Sequence, residues 1–334
     1  MLKLALMSFL KKVSLQAIIL VVVFFFGFLT CKINSPDIVD DDQIIRKNFN
    51  HKFINPILEC NPDINQNNNL SSLKNTVEET INNEINKKNI SFASVYFRDL
   101  NNGPWFGINE TKYFSPASLI KVPILITYLK KAETDPTILD KKIINPLVQE
   151  NGAPIQNIKP SETLKSNQEY TIRELLEHMI IYSDNNAYND LVTNLSSDDL
   201  MRIYKDLDID ISKAVDDPNG NILTVKDYAS FYRILFNASY LDQDMSEKAL
   251  EILSRTDYKK ALVAGIPNNI PISHKFGERK FADTGEIQFH DCGIIYYPQN
   301  PYLLCVMTKT NNLDHANTTI QKISQMVYQK ISQD

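Results

Sequence analysis

Hydrophobic and polar positions alternate with different periods along this chain, and each change of period marks a new element. Ala17 to Leu29 is an unbroken apolar stretch. From Lys32 to about Lys74 there is no period at all. That stretch carries Asp40-Asp41-Asp42 and Asn67-Asn68-Asn69 and reads as a tether, ordered locally around Phe53 to Leu58. A helical period returns in Thr76 to Lys88, with Val77, Ile81 and Ile85 on one face and Thr76 capping toward Glu79. Ser91 to Leu100 and Pro104 to Ile108 then alternate as strands, and Asn101-Asn102-Gly103 between them is a hairpin signal.

From Thr134 to about Ala238 the pattern is helices and loops. Thr171-Ile172-Arg173-Glu174 predicts a capping box, followed by Leu175, Leu176, Met179 and Ile180 at helical spacing. Ser183-Asp184-Asn185 breaks that helix, and further helices are expected over Ala187–Leu195, Ser197–Leu207, Thr224–Phe236 and Ser246–Ser254. Strand-like runs return at Ile270–Glu278, Gln288–Tyr297 and Tyr302–Lys309, and Ala316–Ile331 closes the chain as a helix striped by Ile320, Ile323, Val327 and Ile331. The early hairpin must join the late strands. The expected class is therefore α+β: a five-stranded, mainly antiparallel sheet flanked by the N- and C-terminal helices, with an all-helical lobe at about 134–260 inserted.

Composition changes this picture mainly at the N-terminus. Lys3, Lys11 and Lys12 precede the apolar run and Cys31 follows it. A basic flank before such a run is an export signal or an uncleaved anchor, and Cys31 suggests a lipid-bearing mature N-terminus. Residues 1–31, 32–74 and 75–334 thus read as signal or anchor, tether and catalytic domain, the last lying outside the cytoplasm and held at the membrane. The formal net charge of -5 offers no footprint for nucleic acid. The cysteines, with Cys60, Cys292 and Cys305 beside Cys31, show no metal spacing, nor do the histidines, so no zinc or other cofactor is expected. Cys292 and Cys305 fall in apolar strands and read as buried thiols, with a bridge between them as the alternative.

The candidate chemistry begins at Phe114-Ser115-Pro116-Ala117-Ser118-Leu119-Ile120-Lys121. In a helix starting at Ala117-Ser118, Ser118 and Lys121 lie one turn apart on one face, so a sheltered amine can serve the hydroxyl as base. The same S-x-x-K spacing at Ser8–Lys11 and Ser71–Lys74 has no such setting. Pro123 predicts a kink or a tight first turn, since proline inside a helix costs about 3 kcal/mol. Two further segments carry chemistry, Ser183-Asp184-Asn185 and Lys275-Phe276-Gly277.

In this order, the three segments resemble the active-site set of class A serine β-lactamases and penicillin-binding proteins, over roughly Leu73 to Gln333. The resemblance implies that Ser118 attacks an amide carbonyl, with the backbone N–H groups of Ser118 and Glu278 as oxyanion hole. Lys121 is then the base or relay, Ser183 passes a proton to the leaving nitrogen, and Asn185, Lys275 and Gly277 line the substrate. Two departures stand out. Phe276 occupies the place where the family carries Thr or Ser to hold a substrate carboxylate. No glutamate exists between Glu177 and Glu247, and the acid that clears the acyl-enzyme has its nearest counterpart in Asp217 of Asp217-Pro218-Asn219-Gly220-Asn221. The expected activity is β-lactamase-like hydrolysis of a β-lactam or related amide by a monomer. The alternatives are a D-Ala carboxypeptidase or esterase acting on peptidoglycan-type substrates, and a domain that is acylated without turnover.

Overall fold

The computed structural model describes residues 45–46, 51–59, 68–101, 103–145, 157–212, 217 and 219–333. The export signal, Cys31, Cys60 and most of the tether therefore lie outside the described residues. Among the described residues no helix is long and apolar enough to cross a membrane.

A short ribbon, β1 (Ile45–Arg46) with β2 (Ile57–Glu59), precedes α1 (Asn68–Asn86). This helix starts at Asn68 rather than at Thr76, because Leu70 and Leu73 carry the stripe of Val77 and Ile81 back by further turns. The run of asparagines had hidden that stripe. The hairpin β3 (Phe92–Asp99) and β4 (Trp105–Ile108) forms as expected, with Gly103 at a φ of 81° in its turn. After β5 (Tyr113–Phe114) comes a 3₁₀ turn, Ala117–Ile120, which runs into α2 (Lys121–Ala132). The proline thus produces a tight first turn. Pro123 sits at the third position of α2, where a backbone N–H would have no partner within the helix, so the interior penalty is not incurred.

The lobe that follows is not all helical. β6 (Lys142–Ile144) pairs with β7 (Glu169–Thr171) before α3 (Ile172–Ile181), α4 (Asn185–Thr193) and α5 (Ser197–Asp206). β8 (Leu223–Thr224) then pairs with β5 before α6 (Val225–Phe236) and α7 (Gln243–Ser254). Strands this short present no alternation that a sequence pattern can reveal. Capping boxes form at Thr171 with Glu174 and at Thr224 with Asp227, whereas Thr76, expected to cap toward Glu79, lies inside α1 and donates its hydroxyl to the Ser72 carbonyl.

The last strands, β9 (Ile272–Lys280), β10 (Ile287–Ile295) and β11 (Tyr302–Thr310), complete an antiparallel five-stranded sheet in the order β4-β3-β11-β10-β9, and α8 (Leu313–Ile331) ends the chain. One face of the sheet packs Phe97, Phe289, Leu304 and Val306 against α1 and α8. The other packs Cys292, Ile294, Cys305 and Met307 against the lobe. Cys292 and Cys305 are directly opposite each other on β10 and β11, and both are buried free thiols.

Residues 51–56 are docked onto this body rather than trailing from it. Phe53 and Ile54 enter the lobe-side core, and the Phe53 ring meets Tyr296 edge-on at 5.3 Å. The carboxylate of Glu247 on α7 accepts the backbone N–H groups of Lys52 at 2.7 Å, Phe53 at 2.9 Å and Ile54 at 2.9 Å. Replacing one acceptor would strand three donors, and bonds to a charged acceptor are the stronger kind. Glu247→Ala is expected to lower stability by about 2 kcal/mol. The loss would be read as a reduced urea midpoint together with faster proteolysis near Lys52.

Candidate active site

Ser118 lies on the 3₁₀ turn between β5 and α2, and is partly exposed. Ala117 just before it has a φ of 49°, a left-handed conformation that a residue with a Cβ adopts only when its surroundings hold it there. The holding group is Ser115, whose polar atoms are all engaged by the sheet. Its N–H donates to Gln288 Oε1 at 2.9 Å, its carbonyl accepts from His290 Nε2 at 2.9 Å, and its hydroxyl accepts from Arg279 Nη1 at 3.0 Å. Burial pushes the His290 imidazole down to about 4, so the ring is neutral, and the carbonyl partner requires the proton on Nε2. Gly277 of β9 completes the clamp. A Cβ there would lie 3.0 Å from both Leu119 N and Pro116 O, so only glycine lets the strand come this close to the turn.

Lys121 opens α2 and points inward, 2% exposed. Its Nζ donates to the Ser183 carbonyl at 2.6 Å and Asn185 Oδ1 at 2.8 Å, with longer contacts to Ser183 Oγ at 3.3 Å and the Asp184 carbonyl at 3.4 Å. None of these bonds goes to Ser118. Desolvation lowers the Lys121 ammonium to about 7, against the opposing pull of the Asp184 charge. Lys275, buried on β9, donates to Ser183 Oγ at 2.9 Å and to the Phe276 carbonyl at 3.0 Å. Burial first and the nearby Lys121 charge second hold it well below the ordinary lysine range. Ser183 Oγ therefore joins two amines that are both easily deprotonated, an arrangement suited to moving protons.

The segment Ser183-Asp184-Asn185 is a helix cap and a site wall together, divided by residue. Asp184 is the cap: Oδ1 accepts Asn186 N–H at 2.7 Å, and Oδ2 accepts Leu164 N–H at 2.9 Å. Ser183, at a φ of 58°, and Asn185 face the amines. On β9, Phe276 and Glu278 have their backbone groups on the open edge of the sheet. The Lys275 bond to the Phe276 carbonyl shows that direction, and alternate residues of an edge strand share it. The Glu278 N–H shares that open edge. The Glu278 carboxylate accepts Ile158 N–H at 3.1 Å and the Asn157 amide.

Asp217 stands apart from this cluster. Its carboxylate accepts Asn219 N–H at 2.7 Å and Asn221 Nδ2 at 3.1 Å, as expected for a turn acid. It is connected to the turn that carries Ser118 indirectly, since Gln288 Nε2 donates to Asn221 Oδ1 at 3.0 Å while Gln288 Oε1 holds Ser115. Sequence reasoning missed Gln288, Ser115 and Arg279. Each looks like an ordinary strand or turn residue, and no spacing links positions so distant in the chain.

No curated protein matches the sequence. Solved structures do. PBP-A is 23% identical with a TM-score of 0.65, covering 79% of this chain and 97% of that one, and its leucine-to-glutamate variant was solved as an acyl-enzyme complex with penicillin G. A class A β-lactamase from Mycobacterium abscessus is 19% identical with a TM-score of 0.65, covering 77% and 99%. The TLA-3 extended-spectrum β-lactamase is 19% identical with a TM-score of 0.67, covering 78% and 98%. At such identities the likeness is one of fold. The model of the beta-lactamase enzyme family matches residues 76–331, from within α1 to the last residue of α8, and the chain belongs to that family.

Proposed function

We propose that this protein is a serine hydrolase that works through an acyl-enzyme on Ser118, with a β-lactam or related amide as acyl donor. The observation that carries the reading is the buried Lys121 amine, held near neutrality one helical turn from Ser118 and hydrogen-bonded to Ser183 and Asn185. Lys121 takes the Ser118 proton as Oγ attacks the carbonyl carbon. The developing oxyanion is received by the N–H groups of Ser118 and Glu278. The C–N bond then breaks, and the proton passes from Lys121 through Ser183 to the leaving nitrogen. Water releases the acyl group and restores Ser118. The apolar run at Ala17–Leu29 supports export and tethering outside the cytoplasm, through Cys31 or an uncleaved anchor.

A second reading, a D-Ala carboxypeptidase or esterase, is favoured by Asp217. Its short carboxylate is occupied by Asn219 and Asn221, which makes it a weaker activator of water than a free acid. Intact-mass spectrometry with penicillin G tests the readings against each other. A Ser118 adduct that forms and decays, and decays more slowly in Asp217→Asn, is the expected result. A lasting adduct indicates an acylated sensor or transpeptidase type. Ester hydrolysis without an adduct, lost in Ser118→Ala, indicates an esterase. Neither an adduct nor Ser118-dependent hydrolysis would reject the proposal.

The pH dependence follows from Lys121, whose neutral form is the base. Below about 7 the amine is protonated and cannot accept the serine proton. The acylation rate should therefore fall about tenfold per pH unit below that point and level off above it, as stopped-flow measurements would show. Gly277→Ala should push β9 away from the Ser118 turn by tenths of an ångström. Acylation is expected to slow by about 10²-fold while circular dichroism stays native-like.

A further inference from the structure

The leaving-group side of the site is the side on which Ser183 and Lys275 stand, on the reading of Ser118 as acyl acceptor. An anionic group beside the scissile bond would have to meet a cation there. The Lys275 head does not face the cleft: the residue is 0% exposed, and its Nζ is enclosed by Ser183 Oγ, the Phe276 carbonyl and the Phe276 ring, whose centroid is 4.1 Å away. That ring is itself fixed, 5% exposed and stacked at 4.2 Å on Tyr258, whose hydroxyl donates to Asn317 Oδ1 at 2.5 Å. Phe276 thus lies between Tyr258 and the amine.

Neighbouring charges are engaged elsewhere: Lys259, beside Tyr258, donates from Nζ to the Thr256 carbonyl at 2.7 Å. Lys121 is buried and turned to Ser183 and Asn185. Arg279 is four residues further along β9, about 13 Å from Lys275 at strand spacing, where it binds Ser115 and lies against Phe281. Beyond Gly277 on the open edge stands Glu278, whose carboxylate would repel an anion.

We propose that the site selects acyl donors that carry no charge beside the scissile bond, esters or neutral amides, because the Phe276 ring covers the Lys275 head. With an ester, the bond from Ser118 Oγ to the acyl carbon forms as the carbon–alkoxy bond breaks. The serine proton, relayed through Lys121 and Ser183, leaves on the alcohol. Water then frees the acid and returns a proton to Ser118.

Penicillin G and its methyl ester share the reacting ring and differ at that carboxylate, charged in one and capped by a methyl group in the other. The methyl ester is expected to acylate Ser118 about tenfold faster than the free acid, because the free carboxylate would be desolvated near Glu278 with no cation to meet it. Phe276→Thr, which uncovers Lys275, is expected to shrink or reverse the ratio. A ratio of one or less in the unsubstituted protein would overturn the inference. If neither compound acylates Ser118, the reading of Ser118 as β-lactam acceptor fails, and binding of the two compounds to the Ser118→Ala protein by calorimetry still decides the selectivity. Tighter binding of the methyl ester supports it, whereas equal or tighter binding of the acid, or binding of neither, overturns it.

Discussion

Keeping a primary amine out of water is the constraint around which this molecule is organised. An ammonium at Lys121 would suffer a desolvation penalty of several kcal/mol. The fold relieves it by lowering the proton affinity of the group and by surrounding the nitrogen with the Ser183 carbonyl and the Asn185 amide oxygen. That solution requires α2 and the start of α4 to be held in fixed relation. It also requires Ser183 to adopt a left-handed backbone, since its carbonyl and hydroxyl both turn to the amine. The strain at Ser183 and at Ala117 is tolerated because neighbouring residues are over-determined: Asp184 is pinned by Asn186 and Leu164, and Ser115 by three side chains of the sheet.

The same constraint explains which features were legible in the sequence. Ser118 and Lys121 could be paired because a helix fixes their spacing locally, and the terminal helix stripes, the hairpin and the capping boxes are local in the same sense. The sheet could be inferred because β9, β10 and β11 are long enough to show their character. What escaped depends on contacts between distant segments. Nothing near Gln288 in the chain marks it as the link between Ser115 and Asn221. Glu247 looks like any helix-surface acid until Lys52, Phe53 and Ile54 arrive to use it. Local order around Phe53 could be expected from the sequence, but not the carboxylate that receives it. Two apolar residues in a polar stretch carry little periodic signal, yet they suffice to dock when a carboxylate satisfies the backbone that follows them into the core.

Asp184 shows why function and structure could not be separated by motif alone. A serine-aspartate-asparagine run before a helix is an ordinary cap, and here the aspartate does cap α4. The neighbours on either side are thereby turned toward the amines, because the cap fixes the backbone from which both project. The cap is the means by which Ser183 and Asn185 are held against the Lys121 amine.

Phe276 extends that logic to the edge of the sheet. An edge strand next to an open cleft exposes unpaired backbone and invites both water and stray pairing. Stacking Phe276 on Tyr258 extends the core formed with α1 and α8 out to β9, the last strand. The ring that stabilises the edge is then also the ring that hides the Lys275 amine, so the two effects cannot be tuned independently. A hydroxyl residue at this position would expose the cation and weaken the aromatic packing at once. The sequence has settled on the packed edge, and on the reading proposed above the polarity of the leaving-group side follows from that choice rather than from any residue that touches the reacting atoms.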